Sequence, residues 1–132
     1  MADTLQFELV SPERKLVSVA ATQIQIPGMS GDFTAMPNHA PYLTTLRPGV
    51  VRVVAGGETT EYLVTGGFAE VSPEAATILA EQAAPLDAAS REMLADLVAA
   101  SEQVLAEATD ETRQVADQRL RDARQIAARL GS

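Results

Sequence analysis

One change of rhythm governs what this 132-residue chain can fold into. Up to about Ala84, apolar and polar residues alternate in short runs, each closed by Gly, Pro or a polar cluster. After Pro85, apolar residues recur every three or four positions. The first rhythm sends alternate side chains to opposite faces of a strand, and the second gathers them on one stripe of a helix. The sequence therefore predicts two regions, an all-β body over residues 1–84 and a helical region over 85–132.

Within the first region, Leu5, Phe7 and Leu9 share one face of a strand closed by Ser11-Pro12-Glu13. Ile24 and Ile26 share a face of another, closed by Pro27-Gly28. The run Val50–Ala55 meets Gly56-Gly57 and returns through Tyr62-Leu63-Val64, the clearest hairpin in the chain. Gly66-Gly67 precedes a strand at Phe68-Ala69-Glu70-Val71, Ser72-Pro73-Glu74 turns the chain, and Thr77-Ile78-Leu79 forms a last strand. Turn signals every 8 to 12 residues or so favour a sandwich or barrel over a parallel sheet with crossover helices.

In the second region Met93, Leu94, Leu97, Val98, Val104 and Leu105 mark one amphipathic helix, with Asp87 placed to cap it. The polar cluster Thr109-Asp110-Glu111-Thr112 interrupts it and can cap a second helix, on which Ala116, Leu120, Ala123, Ala127 and Leu130 line one face. The pair reads as an antiparallel hairpin of two helices of about 20 residues, each ~30 Å long. Its Ala-rich seam buries little area per residue, so the hairpin is expected to be less stable than the β body. Charge divides between the two helices. The first carries Asp87, Glu92, Asp96, Glu102, Glu107, Asp110 and Glu111 against Arg91; the second carries Arg113, Arg119, Arg121, Arg124 and Arg129 against Asp117 and Asp122. This split has two readings: solvated faces whose charges happen to balance, or an arginine helix able to exchange its intramolecular partner for an acidic surface elsewhere.

Composition narrows the function. A net charge of −8, from 18 acidic and 10 basic side chains, argues against an electrostatic grip on nucleic acid. No run approaches the roughly 18 apolar residues of a membrane span, and the opening Met-Ala-Asp-Thr-Leu lacks the basic and apolar regions of a signal peptide, so the chain is expected to stay where it is made. The absence of cysteine removes disulfides, thiolate catalysis and sulfur-ligated metals, and a single histidine leaves zinc only carboxylates as further ligands. A Ser-His-Asp device would have to use His39 with Ser30 and Asp32 nearby, but no Gly-x-Ser-x-Gly elbow is present. Gly28-Met29-Ser30-Gly31-Asp32 is no phosphate loop, and the one lysine, Lys15, lies far from it. A freestanding enzyme is improbable on these grounds, and no catalytic, cofactor or metal site is expected.

Three segments then carry a resemblance: Phe7-Glu8-Leu9-Val10-Ser11-Pro12-Glu13-Arg14; the loop Gly31-Asp32-Phe33-Thr34-Ala35-Met36-Pro37-Asn38-His39-Ala40-Pro41-Tyr42-Leu43-Thr44 with Leu46-Arg47-Pro48-Gly49; and Gly66-Gly67-Phe68-Ala69-Glu70-Val71. In this order they resemble the epsilon subunit of the bacterial rotary ATP synthase. The resemblance implies a flattened ten-stranded β-sandwich followed by a two-helix hairpin. It implies a non-catalytic central-stalk subunit that joins the gamma subunit and the c ring to the catalytic head of a proton-translocating ATP synthase, held peripherally on the cytoplasmic face of a bacterial inner membrane. By the same resemblance Asp32 faces the polar loops of the c ring, with His39 in the same stalk-facing region. The alternative is that Asp32 only stabilises its own turn. Thr34 and Asn38 stand where many relatives have Gly. The hairpin of many relatives opens to block ATP hydrolysis, which would set Arg113, Arg119, Arg121, Arg124 and Arg129 against acidic groups of the alpha and beta catalytic subunits. Some relatives bind ATP through Leu/Ile-Asp-x-x-Arg-Ala; here Leu86-Asp87-Ala88-Ala89-Ser90-Arg91 puts the arginine one step later, ~100° around a helix, which argues against a bound nucleotide. A reading from another class is a standalone ligand-binding sandwich with a helical dimerisation tail.

Overall fold

The computed structural model describes residues 4–87 and 90–129. The chain divides into two compact units, Met1–Pro85 and Leu86–Ser132.

The first unit is built of ten strands: β1 (Leu5–Val10), β2 (Lys15–Ala21), β3 (Gln23–Gly28), β4 (Gly31–Ala35), β5 (Tyr42–Leu46), β6 (Gly49–Ala55), β7 (Glu58–Val64), β8 (Gly67–Val71), β9 (Ala75–Ala80) and β10 (Ala83–Pro85). They follow one hydrogen-bonded path, β10-β7-β6-β3-β5-β8-β9-β1-β2, with β4 attached to β3. β1 and β9 run parallel, while the other pairings are antiparallel. The alternation read from the sequence sets the inside: Leu5, Phe7, Leu9, Ile24, Ile26, Val51, Val71 and Ile78 are each at most 1% exposed and belong to one apolar core. Gly56 and Gly57, at φ of 59° and 80°, form the turn that pairs Ala55 with Glu58, the two positive φ values a tight hairpin between twisted strands requires.

Strand β3 is where the sheet divides. Gln23, Ile24 and Gln25 pair with β6, Gly28 alone pairs with Leu46 of β5, and the opposite edge pairs along its length with β4. The segment Gly31–Thr44, named as a loop in the family resemblance, is mostly strand in the structure. Gly31–Ala35 is strand β4 and Tyr42 opens β5, leaving only residues 36–41 outside a strand. Asn38 takes a φ of 71°, the left-handed conformation that Asn tolerates better than most residues.

In the second unit, α1 spans Ser90–Ala106 and α2 spans Arg113–Arg129. At 17 residues each they are ~25 Å long, shorter than the pattern suggests. Asp87 and Ser90 cap α1 reciprocally: the Ser90 N–H donates to Asp87 Oδ1 (3.3 Å) and the Asp87 N–H donates to Ser90 Oγ (3.2 Å). Thr109 and Thr112 supply one arm of the same device before α2, the Thr109 N–H donating to Thr112 Oγ1 at 3.0 Å, while the Thr112 N–H donates to the Thr109 carbonyl at 3.1 Å. Leu94, Leu97, Ala116, Leu120 and Ala123 are buried as their spacing predicts, and Met93, Val98, Leu105 and Ala127 are half-buried. Val104 is not part of this seam: within a turn of the end of α1, it is 54% exposed, and Ser101 holds a buried position instead. Ile126, unremarked by the periodicity, is buried, and Leu130 lies outside the described residues.

Candidate functional site

The β4 and β5 strands splay apart because β4 bonds only to β3 whereas β5 turns to β8. An open depression forms there, lined by Ser30, Gly31, Asp32, Phe33, His39 and Tyr42. Phe33 meets the Tyr42 ring edge-on, with centroids 5.1 Å apart, and His39 lies tilted at 6.2 Å from Phe33. The structure thus brings both sequence-derived contact residues of the β body, Asp32 and His39, to one depression. His39 is half-buried and its Nδ1 lies 2.6 Å from the Ala40 carbonyl, so that nitrogen carries the proton and donates. Asp32 is exposed and accepts a hydrogen bond from Arg47 Nη2 at 2.9 Å.

A second feature of the body is apolar. Phe68 and Leu79 stand directly opposite each other on β8 and β9, and Leu79 stands opposite Val10 of β1. Leu43, on β5, is diagonal to Phe68, whose direct partner is Thr45. Leu43, Phe68 and Leu79 are 66%, 54% and 52% exposed, on the face away from buried Ala69, Val71 and Ile78. Large side chains placed this way form an exposed apolar stripe across three strands, the pattern of a surface meant to be covered. Sequence reasoning passed over this stripe, although a signal was present: in Phe68-Ala69-Glu70-Val71 the period of two puts the aromatic ring on the same side as a glutamate.

On α2, Arg121 pairs with Asp117 (3.3 Å) and Arg113 with Asp110 (3.9 Å), both local contacts; Arg124 reaches across to Glu102 of α1 at 3.0 Å. Arg119 is half-buried and Arg129 lies in the last turn. Asp122, counted among the surface charges of this helix, is buried and accepts from Gln118 Nε2 at 2.9 Å. Among the described residues no group of three or more His, Asp or Glu side chains is arranged to hold a metal ion, and no helix is long and apolar enough to cross a membrane.

Residues 4–86 match the family model of the ATP synthase delta/epsilon chain, beta-sandwich domain. The chain belongs to this family. The match spans the β body, and relatives carry it further. The ATP synthase epsilon chain of Ruegeria sp. (strain TM1040) is 61% identical over 94 residues, 71% of this chain and 69% of the relative. That of Fuscovulum blasticum is 57% identical over 94 residues, 71% and 72% of the two chains, and that of Rhodobacter capsulatus 62% over 82 residues, 62% of each. The fold is also that of a chain in the Euglena gracilis mitochondrial ATP synthase structure, with a TM-score of 0.73 at 22% identity over 96% of this chain and 81% of that one. A chain of the Tetrahymena thermophila mitochondrial ATP synthase central stalk and c-ring structure gives 0.65 at 13% identity over 94% of each. Membership in the delta/epsilon family makes this a non-catalytic stalk subunit of ATP synthase, with the expected ten-stranded sandwich followed by two helices, and it sets aside the standalone ligand-binding module.

Proposed function

We propose that this epsilon-family chain docks its β body on the gamma subunit of the central stalk through the Leu43, Phe68 and Leu79 stripe, and presents the Asp32 and His39 end to the c ring. The exposed stripe carries the reading. Burying an exposed apolar surface contributes roughly 25 cal/mol per Å², and aromatic side chains at the centre of such a surface dominate binding. Glu70, Thr77 and Glu8 continue the paired row that Leu43 opens, so polar side chains border the apolar ones on the same face. The assembly so formed would hold the chain peripherally on the cytoplasmic face of the inner membrane. The Asp32 end offers oxygen and imidazole acceptors suited to the polar loops of a ring.

The hairpin is the regulatory element in this reading. Arg113, Arg119, Arg121, Arg124 and Arg129 are its contact residues toward the alpha and beta subunits, and exposed pairs such as Arg124–Glu102 are weak enough to be exchanged. Inverting a 1:99 ratio of open to closed hairpin requires a preference of ~5.5 kcal/mol for the open form, within reach of several desolvated arginine contacts.

Two experiments test the reading. Phe68→Asp with Leu79→Asp should abolish co-purification of the gamma subunit with the tagged chain while the sandwich stays folded; undiminished recovery would remove the docking assignment. Deleting residues 87–132 should raise ATP hydrolysis by the reassembled enzyme, and unchanged hydrolysis would leave the hairpin without an inhibitory role.

A further inference from the structure

Arg47 and Asp32 are joined through their side chains, and both lie against Pro27. The Arg47 backbone N–H donates to the Pro27 carbonyl at 3.1 Å, and Pro27 stands opposite Asp32 in the β3–β4 ladder. The 2.9 Å bond from Arg47 Nη2 to Asp32 Oδ1 therefore closes a ring of contacts around Pro27. The next two residues tighten the ring. Pro48 restricts the backbone, and at Gly49 a Cβ would come within 2.6 Å of the Pro27 Cβ, so only glycine lets the turn lie this close to β3. Coverage is unequal: the Arg47 side chain is 31% exposed and that of Asp32 is 70% exposed.

An ordinary surface ion pair gains little because two long side chains must be held still. Here Asp32 is short and held within the β3–β4 ladder, Arg47 is largely covered, and the Arg47 backbone is bonded to Pro27, the residue facing Asp32. Little freedom remains to be lost, and the covered guanidinium orients the exposed carboxylate. We propose that Arg47 is a positioning residue for Asp32, fixing one carboxylate oxygen so that the other meets a hydrogen-bond donor of the partner's polar loop in a set direction. This rests on the reading that the Asp32 end faces the ring. It assigns that contact a chemistry: the pair has no net charge, so the surface recognises a directed N–H or O–H donor more than it attracts a distant cation. Binding at this end is accordingly weakly dependent on salt.

The test uses the full chain and inverted membrane vesicles that carry the remaining ATP synthase subunits but lack this one. Affinity is measured at low and high salt for the native chain, Arg47→Gln, Arg47→Lys, Asp32→Asn and the Arg47→Gln/Asp32→Asn double variant. Arg47→Gln should weaken binding about tenfold and steepen its salt dependence, because a freely rotating, uncompensated carboxylate replaces an oriented one. Arg47→Lys should recover part of the loss, and the double variant should bind no more weakly than Asp32→Asn alone. Native affinity in Arg47→Gln, or losses that add in the double variant, would overturn the positioning role. Native affinity in Asp32→Asn would instead overturn the ring-facing reading. A measurement on the free chain separates the two. The Asp32 Hα–Hβ couplings should report one χ1 rotamer in the native chain and averaged rotamers in Arg47→Gln; averaging in the native chain refutes positioning whatever the vesicles show.

Discussion

Gly67 opens β8 beside the apolar stripe, and replacing it with alanine tests whether the crowding there is real. At a φ of 131° its backbone is strained for any L side chain, and a Cβ would sit 2.0 Å from the Leu79 carbonyl oxygen and 2.9 Å from the Ala80 Cα. Ordinary contact begins near 3.4 Å, so β9 would have to retreat by about 1.4 Å. Gly67 pairs with both Leu46 and Ala80, so that retreat opens the ladder between β8 and β9. Backbone strain costs about 1–3 kcal/mol, and each weakened ladder bond about 0.5–1.5 kcal/mol. Gly67→Ala should therefore cost about 3–5 kcal/mol, a large part of the ~5–15 kcal/mol that holds a domain together. Gly56 provides the control. It also has a positive φ, 59°, but nothing lies within 4 Å of its Cβ position, so Gly56→Ala should cost only about 1–2 kcal/mol. Urea unfolding followed by tyrosine fluorescence is the assay, because both tyrosines, Tyr42 and Tyr62, lie in the sandwich and report it alone. Equal losses in the two variants would refute the reasoning.

Burial and capping set the other expected outcomes. Phe7, fully buried at the centre of the core, should cost about 3–5 kcal/mol when replaced by alanine, read from the same urea transition. Asp87→Ala removes one arm of the reciprocal cap of α1 and should lower hairpin stability by about 1 kcal/mol, seen as loss of helical circular dichroism at lower temperature with the tyrosine transition unmoved. Burial raises the Tyr62 phenol above its ordinary pKa of 10.0, so above pH 10 or so the unfolded chain releases this proton first and the fold loses stability. A Tyr62→Phe chain should lack that alkaline loss, and an identical alkaline slope in both chains would contradict the assignment.

The parts of the fold that were legible were those with a strong local rhythm. Leu5-x-Phe7-x-Leu9, Ile24-x-Ile26 and the Gly56-Gly57 hairpin announce their strands because one face is fully buried and the turn demands positive φ. Strands β2, β4, β5 and β10 were not legible from the residues. In β5 only Leu46 is buried, while Tyr42 and Leu43 are exposed, so no alternation of burial reaches the sequence. β4 carries Gly31 and Asp32, both poor strand formers, and is held by its pairing to β3. The same limit applies to the candidate site. Asp32 and His39 stand out as residue types, but Arg47 acquires meaning only when the β3–β4 ladder brings Asp32 to the residue its own backbone grips. Split helix charge was legible, whereas the burial of Asp122 and the exposure of Val104 depend on which side of each helix is covered.

The central claim is that the outer face of β5, β8 and β9 is covered by the rotating stalk. Photo-crosslinking in intact membranes tests it most directly, with a photoreactive residue placed at position 68, at position 79, and at Thr59 as an exposed control on β7. Adducts to the gamma subunit from positions 68 and 79, and none from position 59, are the predicted result. Gamma adducts from position 59 with none from the stripe would contradict it.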